Sequence, residues 1–306
     1  MGGWSPEKKI SLMSGKNVVE GLRKAGLKAV PFVLTTADKN EKKFETRLKK
    51  AKFDVVFIAL HGGFGEDGTL QGLLDQWGIA YTGSGALACG LAMHKGCSKL
   101  VFEAQGIPSA LWHALHKTTE PKNWHKEIKL ALPLVVKPAD VGSSTGITIV
   151  KKKTQLTKAI KLAFKHSDWA MVEKFIPGTE VTVAVLGGNA LPVIEIVPKG
   201  EFYDFNSKYK PGQSIHISPA RIGPVQTKRV KELAIKAGKA MGCEDYYRAD
   251  FIVPKKGEPQ ILEINAVPGM TSTSLVPDAA RSVGITFPAL LKTLVGMALK
   301  KKEKKA

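Results

Sequence analysis

Apolar and polar positions along the first third of the chain alternate in blocks that predict helices and strands in turn. Apolar residues three or four positions apart predict helices over 14–25 and 41–50. Two apolar runs, 28–34 and 54–60, predict strands, and the second is apolar without interruption, which is typical of a strand covered on both faces of a parallel sheet. This part of the chain therefore predicts an open α/β unit.

The start of this unit departs from the usual pattern. The chain opens on a Gly-Gly turn that leads into a helix, and no apolar strand precedes the turn. Since such a turn normally follows the first strand of the sheet, we expect that strand to be missing and the natural chain to begin several residues upstream.

The rest of the chain mixes strands with helices. Strands are predicted over 134–137, 147–151, 169–175, 180–186, 191–198, 248–253 and 260–264, and helices over 86–94, 97–105, 154–165, 225–241 and from Phe287 onward. A polar stretch, 199–213, predicts a loop, and the lysine-rich end, 300–305, predicts a frayed, solvated tail. With 306 residues, the chain is long enough for two or three domains.

The charge balance indicates an affinity for anions. The 46 Lys and Arg residues exceed the 27 Asp and Glu residues by 19. However, the lysines are spread along predicted helix faces, and no basic stripe is interleaved with aromatic residues, so we predict no nucleic-acid partner. A nonenzymatic nucleotide- or nucleic-acid-binding protein stays an alternative, which steeply salt-dependent binding of polynucleotides would support.

Cysteine usage and hydropathy bear on the compartment. Cys89, Cys97 and Cys243 form no CxxC pair, so neither a zinc site nor a disulfide framework is predicted. No run of about 18 apolar residues could span a bilayer, and the first residues lack the charged-then-apolar order of a signal peptide. We therefore predict a cytoplasmic protein without a membrane partner.

A glycine-rich stretch over 63–68 matches the GxGxxG pattern of dinucleotide sites. It follows the predicted strand that ends at Leu60 and precedes a predicted helix from Thr69. An NAD site also needs an acidic residue about 20 positions further on, and no Asp or Glu lies between Asp75 and Glu103. We favour a glycine-rich loop at the carboxyl edge of the sheet, with an NAD enzyme as an alternative.

A second glycine-rich turn directly follows an apolar strand that carries Lys137. It contains Gly142, Ser143, Ser144 and Gly146. Glycines let backbone N–H groups approach phosphate oxygens, hydroxyls add donors, and a lysine balances the charge of the inner phosphates. The pattern suits a phosphate-binding turn, and a solvent loop between two strands explains it equally well.

Polar side chains recur on two later strands. Arg248 and Asp250 share one side of a strand, and Glu263 and Asn265 share one side of the next. If these strands pair, two carboxylates and an amide oxygen converge, and such hard oxygen ligands suit a Mg²⁺ that bridges nucleotide phosphates. Arg248 would stabilise developing negative charge beside them. A surface ion pair between Arg248 and Glu263 is the weaker alternative, because four such polar residues are flanked by apolar ones.

Seven stretches, taken together, resemble the ATP-grasp superfamily and, within it, the D-alanine:D-alanine ligases. They are GGWSPE (2–7), HGGFGEDGT (61–69), YTGSG (81–85), KP (137–138) with GSS (142–144), FYD (202–204) with KY (208–209), LEIN (262–265) and PGMTS (268–272). Their order and spacing over nearly the whole chain are specific as a set. The resemblance implies a mixed α/β, three-domain ATP-grasp enzyme, with a substrate-side domain over 1–84, a central domain over 85–177 and a C-terminal catalytic domain over 178–306.

The resemblance also implies a role for particular residues. ATP would contact Lys95, Lys137, Ser143, Ser144, Glu173, Lys174, Phe175, Ile176, Glu180, Lys208 and Leu262. Two Mg²⁺ or Mn²⁺ ions would be held by Asp250, Glu263 and Asn265. Substrate binding and catalysis would fall to Glu7, His61, Ser143, Tyr209, Arg248, Gly269, Ser274 and Leu275. A homodimer is implied as well.

The implied reaction joins two D-alanines for peptidoglycan precursor synthesis. The first carboxylate would attack the γ-phosphate of ATP, while the metals, Lys208 and Arg248 neutralise the phosphoryl oxygens. The second amino group would attack the acyl phosphate, and Arg248 with the backbone N–H of Gly269 would stabilise the oxyanion. The loop 199–213 would close as a lid, and Tyr209 resembles the type that accepts an amine rather than D-lactate.

Two features depart from the family pattern, at three positions. His94 stands where many relatives have an acidic residue, and the lysine pair 8–9 replaces a more usual Arg-Glu. Another ATP-grasp carboxylate-amine ligase would share the ATP and metal residues while using different acids. The substrate-side residues His61, Tyr209 and Ser274 argue against that alternative.

Overall fold

The structure, a computed structural model, describes residues 1–143, 145–198, 214–271 and 274–305. Its helices are α1 (Lys8–Lys24), α2 (Glu41–Lys50), α3 (Thr69–Gln76), α4 (Ala86–Met93), α5 (Lys95–Ala104), α6 (Trp124–Glu127), α7 (Lys153–Ala163), α8 (Pro224–Met241), α9 (Leu275–Arg281) and α10 (Phe287–Lys305). Its strands are β1 (Trp112–His116), β2 (Leu134–Pro138), β3 (Thr148–Val150), β4 (Trp169–Lys174), β5 (Thr179–Leu186), β6 (Asn189–Ala190), β7 (Ile194–Pro198), β8 (Ser214–Ile217), β9 (Tyr246–Val253) and β10 (Gln260–Asn265). None of the described helices is both long enough and apolar enough to cross a membrane.

Two antiparallel sheets carry most of these strands. The smaller sheet has the order β1-β4-β2-β3, and α7 packs against it. The larger sheet has the order β10-β9-β5-β7-β8, with β6 paired to β5. The smaller sheet, with α6 and α7, encloses a hydrophobic core of its own, made of buried residues between Leu115 and Val172.

Alternation along β5 explains why the larger sheet lies between two layers of helices. Val181 and Val183 belong to a core that also contains residues of α4, α5 and α8. Ala184, on the opposite face, belongs to a core built with residues of α1, α9 and α10. A strand with apolar residues on both faces is thus covered on both faces, as its sequence predicts.

The predicted parallel sheet of the N-terminal region is present only as isolated bridges. Gly2 bridges Leu34, and Val56 bridges Tyr81, both in the parallel sense. In the part of the chain that the structure describes, residues 27–34 and 53–60 share no hydrogen bond with one another. An apolar cavity of about 280 Å³ lies between these two segments. We refer to this cavity as the strand cleft.

Two predicted boundaries are wrong. α1 begins at Lys8 rather than at residue 14, because the small residues of its first turns, among them Ser11 and Ser14, are buried without adding apolar periodicity. The lysine-rich end is not a frayed tail, since α10 continues to Lys305. Lys301 Nζ lies 2.8 Å from Asp245 Oδ2 and donates a hydrogen bond to the backbone oxygen of Gly83. The pattern also fails to predict β1, β8 and α9.

Candidate active site

Two adjoining clefts contain the predicted site residues that the structure describes. The Lys137 cleft, of about 180 Å³, lies beside β2 and the end of β4, and its wall includes Lys95, Lys137, Ser143, Glu173, Lys174, Phe175, Ile176, Glu180, Asp250, Leu262 and Glu263. The His61 cleft, of about 150 Å³, is lined by Glu7, His61, Ser143, Arg248, Glu263, Asn265, Gly269, Ser274 and Leu275, among others. The predicted residues Ser144, Lys208 and Tyr209, with the loop 199–213, lie outside the described residues.

Four residues line both clefts: Lys95, Gly142, Ser143 and Glu263. The two cavities therefore meet at a junction that carries an ammonium, a hydroxyl and a carboxylate. The Lys137 cleft is mainly apolar away from this junction, with Val135, Phe175 and Ile176 on its wall. A flat apolar ring and an anionic group attached to it would suit this combination.

Lys95 reaches the junction because α5 begins there. The backbone N–H of Cys97 donates to His94 Nδ1 over 3.1 Å, so His94 caps the helix. An acidic side chain caps a helix in the same way, which accounts for the histidine at this position. Lys95 Nζ then donates to the backbone oxygen of Val141 over 2.9 Å and lies 3.6 Å from Glu263 Oε2.

The predicted convergence of polar residues on two strands is confirmed by the pairing of β9 with β10. Glu263 lies opposite Asp250, and Asn265 lies opposite Arg248. Arg248 forms an ion pair with Asp250 through two contacts of 2.8 Å. Thr182 Oγ1 also donates to Asp250 over 2.6 Å, which fixes this carboxylate.

These residues offer a partial set of metal ligands. Among the described residues, no group of three or more His, Cys, Asp and Glu side chains could hold a metal ion. Asp250, Glu263 and Asn265 supply two facing carboxylates and an amide, which are the hard oxygen donors that Mg²⁺ accepts. Mg²⁺ usually takes only one or two carboxylates from the protein and its other oxygens from phosphates and water. The donor set therefore fits a cation that arrives with a nucleotide.

The side chain of His61 is buried, and polar neighbours hold its ring in the wall of the His61 cleft. Ser14 Oγ lies 2.9 Å from His61 Nε2, and His61 Nδ1 lies 3.3 Å from Glu66 Oε1. Both ring nitrogens thus have polar neighbours, which fixes the plane of the ring. Residues 63–68 form a turn that delivers Glu66 to this ring, and this contact favours the glycine-loop interpretation over a dinucleotide site.

Glu7 links the start of the chain to the turn after β2. Its Oε1 accepts a hydrogen bond from Ser143 Oγ, and Ser143 adopts a left-handed backbone conformation with φ of 55°. Gly62 also has a positive φ, and a Cβ there would lie 2.5 Å from Glu7 Oε2. Only glycine therefore leaves room for the Glu7 carboxylate at this position.

Comparisons with known proteins show the family of this chain. The profile described as D-ala D-ala ligase C-terminus matches residues 101–296, and the one described as D-ala D-ala ligase N-terminus matches residues 35–84. A D-alanine:D-alanine ligase of Halalkalibacterium halodurans is 44% identical over 305 residues, which cover 98% of each chain. The chain belongs to the D-alanine:D-alanine ligase family.

Solved structures of similar proteins share the whole fold. The D-alanine:D-alanine ligase of Bacillus anthracis complexed with ATP has a TM-score of 0.87 at 33% identity, and the match covers 100% of this chain and 98% of that one. The VanG D-Ala:D-Ser ligase of Enterococcus faecalis has a TM-score of 0.82 at 32% identity over 97% of both chains. These likenesses confirm the ATP-grasp architecture that the sequence resemblance implies.

Three residues that the structure places in or beside the site are not predicted as site residues from the sequence of this ligase. Ser14 lies inside a helix, where a single serine gives no signal, and Glu66 lies inside a glycine pattern that suggests a different ligand. Lys99 occupies a buried position of α5 that periodicity assigns to the apolar face. Its spacing of four residues from Lys95 was the available signal, since positions four apart share a helix face.

Proposed function

We propose that this chain uses ATP to join two D-alanines into D-alanyl-D-alanine, for the synthesis of peptidoglycan precursors. The junction of the two clefts carries the proposal, because Lys95, Ser143 and Glu263 line both cavities. A terminal phosphate held in the Lys137 cleft would there face a carboxylate held in the His61 cleft. Family membership supports ATP and D-alanine as the two reactants.

The Lys137 cleft would bind ATP. Its apolar wall, with Phe175, Ile176 and Leu262, would take the adenine, and Lys95 and Lys137 would contact phosphate oxygens. Asp250, Glu263 and Asn265 would hold two divalent cations. When bound, such cations neutralise charge on the phosphates and so assist attack by an anion.

The His61 cleft would bind the amino acids. Glu7 would accept hydrogen bonds from the ammonium of the first D-alanine. The carboxylate of this D-alanine would then lie at the junction and attack the γ-phosphate of ATP. Ser274 and Leu275 would hold the second D-alanine, whose amine then attacks the acyl carbonyl. The guanidinium of Arg248 and the backbone N–H of Gly269 would stabilise the oxyanion that forms.

Further parts of the proposal rest on the resemblance to the family. They are a lid formed by 199–213 with Lys208 and Tyr209, a phosphate contact from Ser144, domain boundaries after residues 84 and 177, a homodimer and a cytoplasmic location. Tyr209 favours an amine rather than D-lactate as the second reactant.

The direct test measures phosphate release from ATP and Mg²⁺ with one amino acid at a time, with products identified by mass. We expect ADP, phosphate and D-alanyl-D-alanine with D-alanine, and no turnover with L-alanine. Parallel reactions with D-alanine plus D-serine or D-lactate define the second reactant. Turnover of D-alanine only together with D-serine or D-lactate would contradict the proposal, as would absence of any D-alanyl product.

A variant of Ser14 tests the role of the His61 ring. Ser14→Ala removes the hydroxyl at His61 Nε2, so the ring loses one of its two fixed neighbours. We expect the KM for D-alanine to rise about 5- to 10-fold, the effect of one hydrogen bond, with little change in the KM for ATP. Ser11→Ala is the matched control, because Ser11 is equally buried on α1 and contacts only backbone groups of Gly2 and Ala59 in the described hydrogen bonds. Equal KM values for D-alanine in both variants would contradict the assignment.

A further inference from the structure

A buried row of three charged side chains begins in the wall of the Lys137 cleft. Lys99 Nζ lies 2.8 Å from Glu173 Oε1, and Lys137 Nζ lies 2.6 Å from Glu173 Oε2. The side chain of Lys99 is 1% exposed, that of Glu173 is 4% exposed and that of Lys137 is 8% exposed. Each oxygen of one carboxylate thus faces the amine of a different lysine. Burial lowers the pKa of Lys99, and the Glu173 carboxylate opposes this shift. With both lysines protonated, the row carries one surplus positive charge.

The three residues differ in their relation to the cleft. Glu173 and Lys137 line it, whereas Lys99 is not among the residues of its wall. Lys99 projects from α5 into the space behind β4, where its ammonium also donates to the backbone oxygen of Ala110 over 3.2 Å. Lys99 therefore has no direct path to a ligand in the cleft, and any effect on binding must pass through Glu173.

The charge state of the row follows from burial and pairing. Burial alone would raise the pKa of Glu173, but the two lysines outweigh it and lower this pKa below its usual range. The carboxylate is therefore ionised. Placing charges in the interior costs several kcal/mol for each ion unless the partners are well aligned. A carboxylate that already had Lys137 gains from Lys99 a second ammonium, at 2.8 Å, rather than its first.

We propose that Lys99 is a positioning residue for nucleotide phosphate: it engages one oxygen of Glu173 and so leaves the charge of Lys137 effective toward the cleft. This inference rests on the proposed function, since it takes the ligand of the Lys137 cleft to be ATP. Without Lys99, Glu173 would neutralise Lys137 alone, and the row would have no net charge. A phosphate anion near Lys137 would then lose the attraction of one full charge.

Lys99→Met tests this directly. The binding of Mg²⁺ with a nonhydrolysable ATP analogue, measured by calorimetry, is expected to weaken about 10- to 100-fold, which is the effect of one charge several ångströms away in a medium of intermediate dielectric constant. The KM for D-alanine should stay within about 2-fold. Lys158→Met, which removes an exposed lysine of α7, is the matched control and should bind the analogue like the parent chain.

A double variant separates charge from packing. Lys99→Met combined with Glu173→Gln restores the single surplus charge of the row, so analogue binding should recover by about 10-fold relative to Lys99→Met. If Lys99 only packs α5 against β4, the second substitution brings no recovery, and the proposal is overturned. Unchanged binding by Lys99→Met would overturn it as well.

Two further measures keep the test decisive. If Lys99→Met fails to fold, Lys99→Gln serves in the same comparison, because an amide can still hydrogen-bond to Glu173 and Ala110 while it lacks the charge. Calorimetry with the analogue does not depend on ligation. A parent chain that binds the analogue but forms no D-alanyl-D-alanine would refute the proposed substrate and leave the role of Lys99 standing.

Discussion

Glu263→Gln is expected to lower kcat by about 10³-fold or more, since the amide keeps the shape of the side chain but loses its charge. Glu263 lies opposite Asp250 in the β9–β10 pair and at the junction of the two clefts. In the variant, a divalent cation held there would keep only one anionic protein ligand and would bind more weakly. The phosphoryl oxygens would then lose the neutralising charge of the cation. Turnover should be measured over a wide range of Mg²⁺ concentrations.

The fold should tolerate this change. The Glu263 side chain is 28% exposed and lies close to the like charge of Asp250, so its neutralisation costs little stability. Glu258→Gln, in the turn before β10, is the matched control, because Glu258 forms an exposed ion pair with Arg229. Melting temperatures within a few degrees of the parent are expected for both variants. A Glu263→Gln chain that turns over like the Glu258→Gln control would refute the metal assignment.

Extending the chain at its N-terminus by six Val and Ile residues is expected to raise the melting temperature by about 5–15 °C. Met1 and Gly3 already form a short parallel ladder with Leu34, through Leu34 N–H to Met1 O at 2.9 Å and Gly3 N–H to Leu34 O at 3.0 Å. Residues added before Met1 would continue this ladder into the strand cleft, between 27–34 and 53–60. We propose that the cleft accepts such a strand.

The size of the effect follows from the cavity. Filling about 280 Å³ at about 24 cal/mol per Å³ gives at most about 7 kcal/mol, and the open side of the cleft lowers this to about 3–6 kcal/mol. An extension of six Gly and Ser residues is the matched control, since it adds the same length without apolar side chains. Equal melting temperatures for the two extended chains would show that the cleft does not bind a strand.

The pH dependence of stability gives a second readout for the same extension. Burial lowers the pKa of the Met1 ammonium to about 6, while in the unfolded chain it stays near 8. Between these values the unfolded state binds more protons than the folded state, so stability of the chain that starts at Met1 rises with pH from 6 to 8. An extension converts the amine into an amide, and this part of the rise should disappear in urea titrations.

The convergence of Asp250 with Glu263 was only partly predictable from the sequence. Alternation places Arg248 and Asp250 on one side of β9 and Glu263 and Asn265 on one side of β10, and antiparallel pairing of neighbouring strands is the usual outcome. The register is not contained in this pattern. Continued pairing after Ile261 and Phe251 would place Glu263 opposite Ala249, and the bulge between Ile261 and Glu263 moves Glu263 opposite Asp250.

Other features depend on contacts that a sequence pattern does not contain. The role of Lys99 arises from Glu173, which lies far along the chain on β4. The end of α10 looked solvated because its lysines form a run, yet Lys301 meets the buried carboxylate of Asp245. The alternation of helices and strands in the first third of the chain predicts a parallel sheet there, whereas no local pattern indicates that the smaller and the larger sheet of the remaining chain are antiparallel.

The separate core of the smaller sheet has a consequence for motion. All of its buried apolar residues fall between Leu115 and Val172, while the other two cores connect the N-terminal region to the larger sheet. Rotation of the smaller sheet as a rigid body would therefore leave every one of these cores intact. The Lys137 cleft has walls from both sheets, with Lys137 on one and Leu262 on the other. Such a rotation would widen or narrow the cleft, and its cost would depend on whether it keeps the buried Lys99–Glu173 ion pair, which joins α5 to β4.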